Sequence, residues 1–589
     1  SNMFTEEFIL KWLGKMTLYI TKIFTEREVL TEKYQSTLKS FTELVRSINI
    51  WEKVNTNILN SQLEAILSKN WISDEDVVNY ALLIVLSSKQ KFIESARLVQ
   101  FILNNEDCPL NKISAQNKLS FSVVSLLYSL FIVDPTGNSN VTVQKKLLTF
   151  YSGSISSTDR LILRMLEIIE STTSLVWVNN IYTWDFMEED DEQTLDLMGN
   201  TKLFIEEKEG LILTLKKRDI AFSTSNYRIE RPSIPELSLQ KSNIELLETL
   251  NLFYQDTEYI LPKESSHVIY DPLFLLLISI HNKELVSEKN NADDPASKHI
   301  VFQVRKYLTS GLFQYFVGAL GDTDKDVVQI TRLILSQMVN SLEDNQQFKD
   351  GNIFKILLKK IIYSTNDNVE ENNKIVPIIW YATSRICDLL LHPTNQLYEK
   401  AYKWVLNGPS IRSNDIPMMY ELIAPSKPDI NFEYYFSQLG WVLKTLEDGI
   451  RSKADVDFLK KRSVMEWVSN ITNVPYLNAN MNSMIASIIY KIQRMDDGGA
   501  TLITRFGGVS DMELKQISIT RSLDEIAESK REHKITNSDK TLKRQLILEE
   551  QKLNSQEILG SYVEIINSKK RLLDWTVDET QNLLKRVCK

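Results

Sequence analysis

Five histidines, His267, His281, His299, His392 and His533, are the side chains best suited to acid–base work or zinc binding, and their spacing serves neither. None pairs with another in the H-E-x-x-H pattern that puts two imidazoles and a general base on one helix face. The glycine pairs Gly498-Gly499 and Gly507-Gly508 match neither G-x-G-x-x-G nor G-x-x-x-x-G-K-[ST], so no backbone cradle for a phosphate is expected. A G-x-S-x-G nucleophile elbow is also missing. Cys108, Cys387 and Cys588 are far apart, which suggests neither a disulfide framework nor a Cys-rich metal site and suits a reducing compartment. The expectation is a protein that is not an enzyme, with no catalytic residue, no metal and no cofactor.

What chemistry remains is electrostatic. Lys216-Lys217-Arg218, Lys460-Lys461-Arg462, Lys543-Arg544 and Lys569-Lys570-Arg571 are candidate RNA-binding residues, because clustered cations neutralise phosphates and release counterions. The competing reading of each cluster is a solvated helix face. The net charge of -9 excludes a global basic footprint, so any nucleic-acid contact must be local. The stretch from Ser529 to Lys589 is locally basic, with 13 Lys/Arg against 9 Asp/Glu. Glu188 to Glu192 reads as a solvated loop or as a contact for a basic partner tail. Trp177, Trp184, Trp380, Trp404, Trp441 and Trp467 sit at helical spacing and are expected in the core rather than on base-stacking platforms.

The elements that carry these residues are helices. A chain of 589 residues exceeds one hydrophobic core, so several domains or an extended repeat array are required. Gly (17) and Pro (14) are scarce, which argues against the many tight turns of an all-β design. The fold expected is all-α: an extended α-solenoid of antiparallel helix pairs, HEAT- or armadillo-like, although no fixed sequence period is visible. Alternation of Leu211, Leu213 and Leu215 adds one short β-hairpin near 202–222. Four regions are expected: helical repeats over 3–135, a helical segment with an irregular acidic insertion over 136–260, further repeats over 261–508, and a charged helical tail over 509–589. No apolar run approaches the roughly 20 residues of a membrane span, and no membrane contact is expected. Ser1-Asn2 ahead of Met3 reads as a cloning scar, so the chain is expected to be part of something longer.

Local signals sharpen this plan. Ser73 is expected to cap a helix opened by Asp74, Glu75 and Asp76, and Thr158 or Asp159 to cap the next but several. A polar loop is expected from Ser287 to Lys298, leading into a helix over Val301 to Leu308. At Tyr270-Asp271-Pro272 the carboxylate can cap and the proline can open a helix whose apolar run implies burial on nearly all sides. Phe274 and Leu277 are its expected core residues.

Several stretches together resemble the C-terminal region of the nucleolar pre-ribosomal-associated protein 1 family. They are Thr158-Asp159-Arg160; Tyr270-Asp271-Pro272 with Leu273 to Leu276; Gly311-Leu312 with Ala319-Leu320; Leu391-His392-Pro393 with Leu397-Tyr398 and Ile416-Pro417; Trp441-Val442-Leu443 with Asp448-Gly449; and Gly499 to Arg505. Their order covers about Ser157 to Gly507. The resemblance implies a nucleolar scaffold in early large-subunit assembly. It also implies partners: pre-ribosomal RNA, a second helical-repeat protein, a DEAD-box helicase and a small nucleolar RNA. Within the motifs, Asp159, Arg160, Tyr270, Asp271, Pro272, Pro393, Pro417 and Trp441 are expected to be structural. The alternative is a protein-only adaptor, such as a transport-receptor-like peptide binder, which the acidic net charge favours.

Overall fold

Helices dominate the computed structural model. It describes residues 6–26, 32–47, 56–68, 70–88, 93–111, 118–177, 184–187, 205–207, 210–237, 243–261, 267–282 and 285–290. Beyond these it describes 298–343, 348, 351–365, 375–423, 432–471, 477–495, 498–506, 552 and 556. The chain divides into two units, Ser1–Ser223 with Arg231–Leu312, and Thr224–Glu230 with Phe313–Lys589.

In the first unit, helices pack on near neighbours in the chain, as in helical repeats. Glu6–Glu26 packs on Thr56–Leu67, Glu32–Ser47 on Glu75–Ser88, and Glu75–Ser88 on Lys118–Val133, which also meets Ser157–Thr172. Lys118–Val133 is buried all round except near its ends, as its nearly unbroken apolar run requires. The predicted hairpin is present: Ile205–Glu207 pairs antiparallel with Gly210–Lys216, in the register Ile205 to Ile212. A strand not foreseen, Trp184–Met187, lies parallel to Gly210–Lys216 on its other edge.

The motif helix Pro272–His281 is built as its sequence demands. Asp271 caps it by accepting from the Leu273 N–H at 2.9 Å, and Pro272 fills the first turn, where its missing N–H costs nothing. Phe274, Leu275, Leu276 and Ile278 are buried. Leu277 is only half-buried, against expectation, because it shares a stripe with Leu273 and Ile280, which are also partly exposed. The residues before the helix pair with the loop that precedes Ser157–Thr172: Ile155 N–H donates to Ile269 O at 2.9 Å and Asp271 N–H to Gly153 O at 2.8 Å. Gly153 holds φ +71°, and a Cβ there would lie 2.2 Å from the Phe274 ring, so both backbone and packing require glycine.

Three local expectations are corrected. Ser156, not Thr158 or Asp159, caps Ser157–Thr172. Asp159 turns back instead to the loop, accepting from the N–H and hydroxyl of both Ser152 and Ser154, since four donors outcompete a single cap bond. Asp74, not Ser73, serves Glu75–Ser88, accepting from Asp76 N–H at 2.9 Å, while the Ser73 hydroxyl bonds Asp107 O. The polar stretch 287–298 is not simply a loop: Val286–Asn290 and Lys298–Phe302 form an antiparallel pair, and the following helix starts at Val304. Cross-strand backbone bonds do not depend on apolar alternation, which is why a polar strand escapes the pattern.

In the second unit, Lys325–Glu343 packs on Gly351–Thr365, and Pro377–Leu391 on Phe432–Gly449, which in turn meets Ala479–Arg494. Gly449 allows the close approach, since a Cβ there would lie 2.8 Å from Ile378 Cγ1. The unit is pinned by Asp455. Its carboxylate accepts from the N–H groups of Ile378, Arg451 and Ser452 and from the Ser452 hydroxyl, at 2.8, 3.1, 2.9 and 2.8 Å. Burial nevertheless pushes this carboxyl above its usual range. Beside it the Arg451 guanidinium bonds Asp448 O and Thr224 O at 3.0 and 2.6 Å and lies over the Tyr381 and Tyr227 rings at 4.4 and 5.5 Å.

Candidate nucleic-acid interface

The helix Tyr398–Leu406 ends against a buried lysine. Lys360 Nζ donates to Trp404 O and Asn407 O, each at 2.9 Å, and lies 4.4 Å from the centre of the Trp404 ring. A cation is favoured there because the last carbonyls of a helix are unpaired and carry the negative end of its dipole. Burial, with a smaller push from Arg412, lowers the Lys360 amine to about 8.

The chain beyond this helix encloses a cleft of about 70 Å³, whose lining includes Lys360, Trp404, Arg412, Asp415, Pro417 and Tyr420. Ile416 and Pro417 are buried beneath it, and Met418 takes φ +63°. Tyr420 stands 45 % exposed at its edge. Its hydroxyl donates to Arg462 O at 3.2 Å, which ties the cleft to Lys460-Lys461-Arg462. Ser463, next along, is the other described non-glycine residue with positive φ, at +55°. Such backbone costs of order 1–3 kcal/mol and gathers at functional sites.

Of the sequence-level candidates, Arg462 is tied to the cleft through its carbonyl, and Lys460 and Lys461 directly precede it in the chain without lining the cleft. Lys460 and Lys461 end the helix Lys453–Lys461, where cations complement the dipole, and Lys461 and Arg462 are exposed. Lys216, Lys217 and Arg218 belong to the first unit, at the junction of the strand Gly210–Lys216 and the helix Lys217–Ser225, and only Lys217 is fully exposed. Lys543, Arg544, Lys569, Lys570 and Arg571 lie outside the described residues, as do Glu188 to Glu192.

Motif residues do structural work where they are described. Arg160 donates to Pro232 O and sits 5.6 Å over the Phe253 ring, and its burial lowers the guanidinium's pKa. Tyr270 is buried and Trp441 lies under the Arg385 guanidinium, which bonds Trp441 O at 2.9 Å. Pro393 is exposed in the turn after Pro377–Leu391, where it prevents the helix from continuing. Trp177, Trp380 and Trp441 are core as expected, but Trp467 is half-buried, Trp184 lies in a strand rather than a helix, and Trp404 is half-buried and walls the cleft. Lys360, Trp404, Arg412, Asp415 and Tyr420 were not foreseen as a group; the motif Ile416-Pro417 is the nearest sequence signal. Among the described residues no group of three or more His, Cys, Asp or Glu is placed to hold a metal, and no helix is long and apolar enough to cross a membrane.

A family model described as nucleolar pre-ribosomal-associated protein 1 matches residues 313–511. The protein of that name from Saccharomyces cerevisiae is 37% identical over 629 aligned residues, spanning 100% of this chain. The chain belongs to the nucleolar pre-ribosomal-associated protein 1 family. The protein of the same name from Mus musculus is 22% identical over 347 residues, or 59% of this chain. The chain spans 35% of the yeast protein's length and 14% of the mouse protein's. No solved structure matches. As the family's name states its compartment, the chain is nucleolar. The stretch matched by the family model begins at Phe313, the start of the long segment of the second unit, and contains the cleft.

Proposed function

We propose that the chain acts in early large-ribosomal-subunit assembly as a non-catalytic scaffold that holds pre-ribosomal RNA and other assembly factors. The observations that carry this reading are the exposed Arg412 in the lining of the Tyr420 cleft and the exposed Lys461 and Arg462 at the chain segment whose backbone Tyr420 bonds, inside the segment matched by the family model. An exposed tyrosine beside several cations offers a ring for base stacking together with charge for the backbone. The names of the relatives, which describe association with pre-ribosomes, support the assembly role. A second helical-repeat protein, a DEAD-box helicase and a small nucleolar RNA are proposed as companions. In-cell crosslinking with sequencing of bound RNA tests the reading: pre-ribosomal RNA is expected on this region. Charge reversal at Lys460, Lys461, Arg462, Lys569, Lys570 and Arg571 is expected to reduce co-sedimentation with large-subunit precursors. Absence of ribosomal RNA crosslinks together with unchanged sedimentation overturns it.

A further inference from the structure

The helix Glu6–Glu26 is apolar on two faces, and described residues cover only one of them. Leu13, Thr17, Ile20 and Phe24 point inward and are buried. Phe8, Trp12, Leu18 and Tyr19 are each at least 40% exposed. Phe8, Trp12, Lys15, Tyr19 and Lys22 follow one another in steps of four and three, which keeps them on one stripe of the helix. Lys11 borders that stripe, and all three lysines are exposed. Lys22 pairs with Glu26 at 3.6 Å, whereas Lys11 and Lys15 form no ion pair with any described residue. One helix thus sets aromatic rings beside a row of cations.

The same unit holds a face of the opposite charge. The helix Asn243–Ile260 buries Leu246, Leu250, Phe253 and Thr257 and leaves Ile244, Leu252 and Tyr259 each at least 47% exposed. Glu245, Glu248 and Asp256 are exposed among them, and Glu248 and Asp256 form no ion pair with any described residue. Both faces are open, so they do not cover each other within one molecule. Contiguous apolar surface of this kind, edged by charge, marks an interaction site.

We infer that the Phe8–Tyr19 face of one molecule docks on the Asn243–Ile260 face of a second copy of this chain. The aromatic rings meet Ile244, Leu252 and Tyr259, and Lys11 and Lys15 meet Glu248 and Asp256. The four-three spacing is the seam by which one helix packs on another. Single-stranded RNA would answer the lysines but leave the acidic face without a partner, whereas a second copy answers both. Because every copy carries both faces, a two-fold pair makes the contact twice. Paired helix faces are small beside the interfaces of stable complexes, so the association is weak, with a Kd on the order of 10 µM. The inference is independent of the RNA reading above.

The test is sedimentation velocity on the full 589-residue chain, over about 1–100 µM, a range that brackets the expected Kd. The weight-average sedimentation coefficient is expected to rise with concentration, and to rise less in about 1 M salt, where the Debye length falls to about 3 Å. Lys11→Glu with Lys15→Glu should weaken self-association about tenfold or more, because two acidic faces then oppose each other. Glu248→Lys with Asp256→Lys should do the same with two basic faces. All four side chains are exposed, so both variants should melt like the wild type. Mixed together, the two variants should associate again, since every acidic face then finds a basic one. Leu252→Ser should weaken the wild-type association without changing charge. A chain that stays monomeric throughout, an association that ignores both charge reversals, or two variants that stay monomeric when mixed overturns the inference. Loss of RNA affinity in Lys11→Glu with Lys15→Glu, with self-association intact, would assign the face to RNA and overturn it as well.

Discussion

Asp455 and Asp415 lie in the same unit and are treated in opposite ways. Asp455 is buried with four donors on its carboxylate, three of them backbone N–H groups from two chain segments. Asp415 is half-buried, and one of its oxygens is enclosed without a partner. In the first unit Asp159 follows the Asp455 pattern, collecting the N–H and hydroxyl groups of Ser152 and Ser154. A saturated carboxylate ties segments of a fold together; one with an enclosed, unpaired oxygen does not. The difference separates the scaffold of this chain from its candidate interface.

The comparison breaks first at Asp455. Asp455→Ala orphans several buried donors, so a loss of about 3 kcal/mol or more is expected in denaturant unfolding; a loss below 1 kcal/mol would remove its standing as a pin. Asp271→Ala deletes a cap whose acceptor contact is explicit, and should cost about 0.5–2 kcal/mol by the same measurement. On the other side, Lys460→Glu with Lys461→Glu should cost about 1–2 kcal/mol of stability through the lost dipole complement and weaken RNA about tenfold, with a shallower salt dependence. An unchanged salt slope would make these lysines a dipole complement and nothing more.

The cleft should also respond to pH, in an alkaline window set by Lys360. Lys360 is held at about 8, below its ordinary 10.5. Between those values the folded state binds fewer protons than the unfolded state, so stability should rise with pH across that window. Melting curves of wild type and Lys360→Met at several pH values check the sign: the difference should move towards the wild type as pH rises from 8 to 10.5. The smallest stability effect is expected for Asp415→Asn, within about 0.5 kcal/mol of the wild type. A large loss there would place Asp415 with Asp455 and dissolve the contrast.

The fold was legible wherever the signal was local. Asp271-Pro272 announces a helix start because capping and the proline ring act within one turn, and Leu211, Leu213 and Leu215 announce a strand because alternation is a property of the segment itself. The strand pair of Val286–Asn290 and Lys298–Phe302 was not legible, since Val286–Asn290 is largely polar and the apolar end of Lys298–Phe302 reads on into the helix that follows. Asp159 looked like a helix cap and proved to organise the preceding loop, because its donors lie upstream on Ser152 and Ser154. Arg462 was legible as a cation but not as a neighbour of Asp415 and Tyr420.

By itself, then, the sequence determined a helical chain, the Asp271 cap with Pro272 behind it, and the positions of the cationic clusters. These follow from residue type and spacing over a few turns. Only the tertiary structure decided which carboxylates are saturated and which is left open, and which cationic cluster is tied to a cleft. Hydrogen-bond satisfaction and burial depend on residues far apart in the chain, as when Ile378 N–H meets Asp455 or Tyr420 meets Arg462, and no local pattern encodes such meetings.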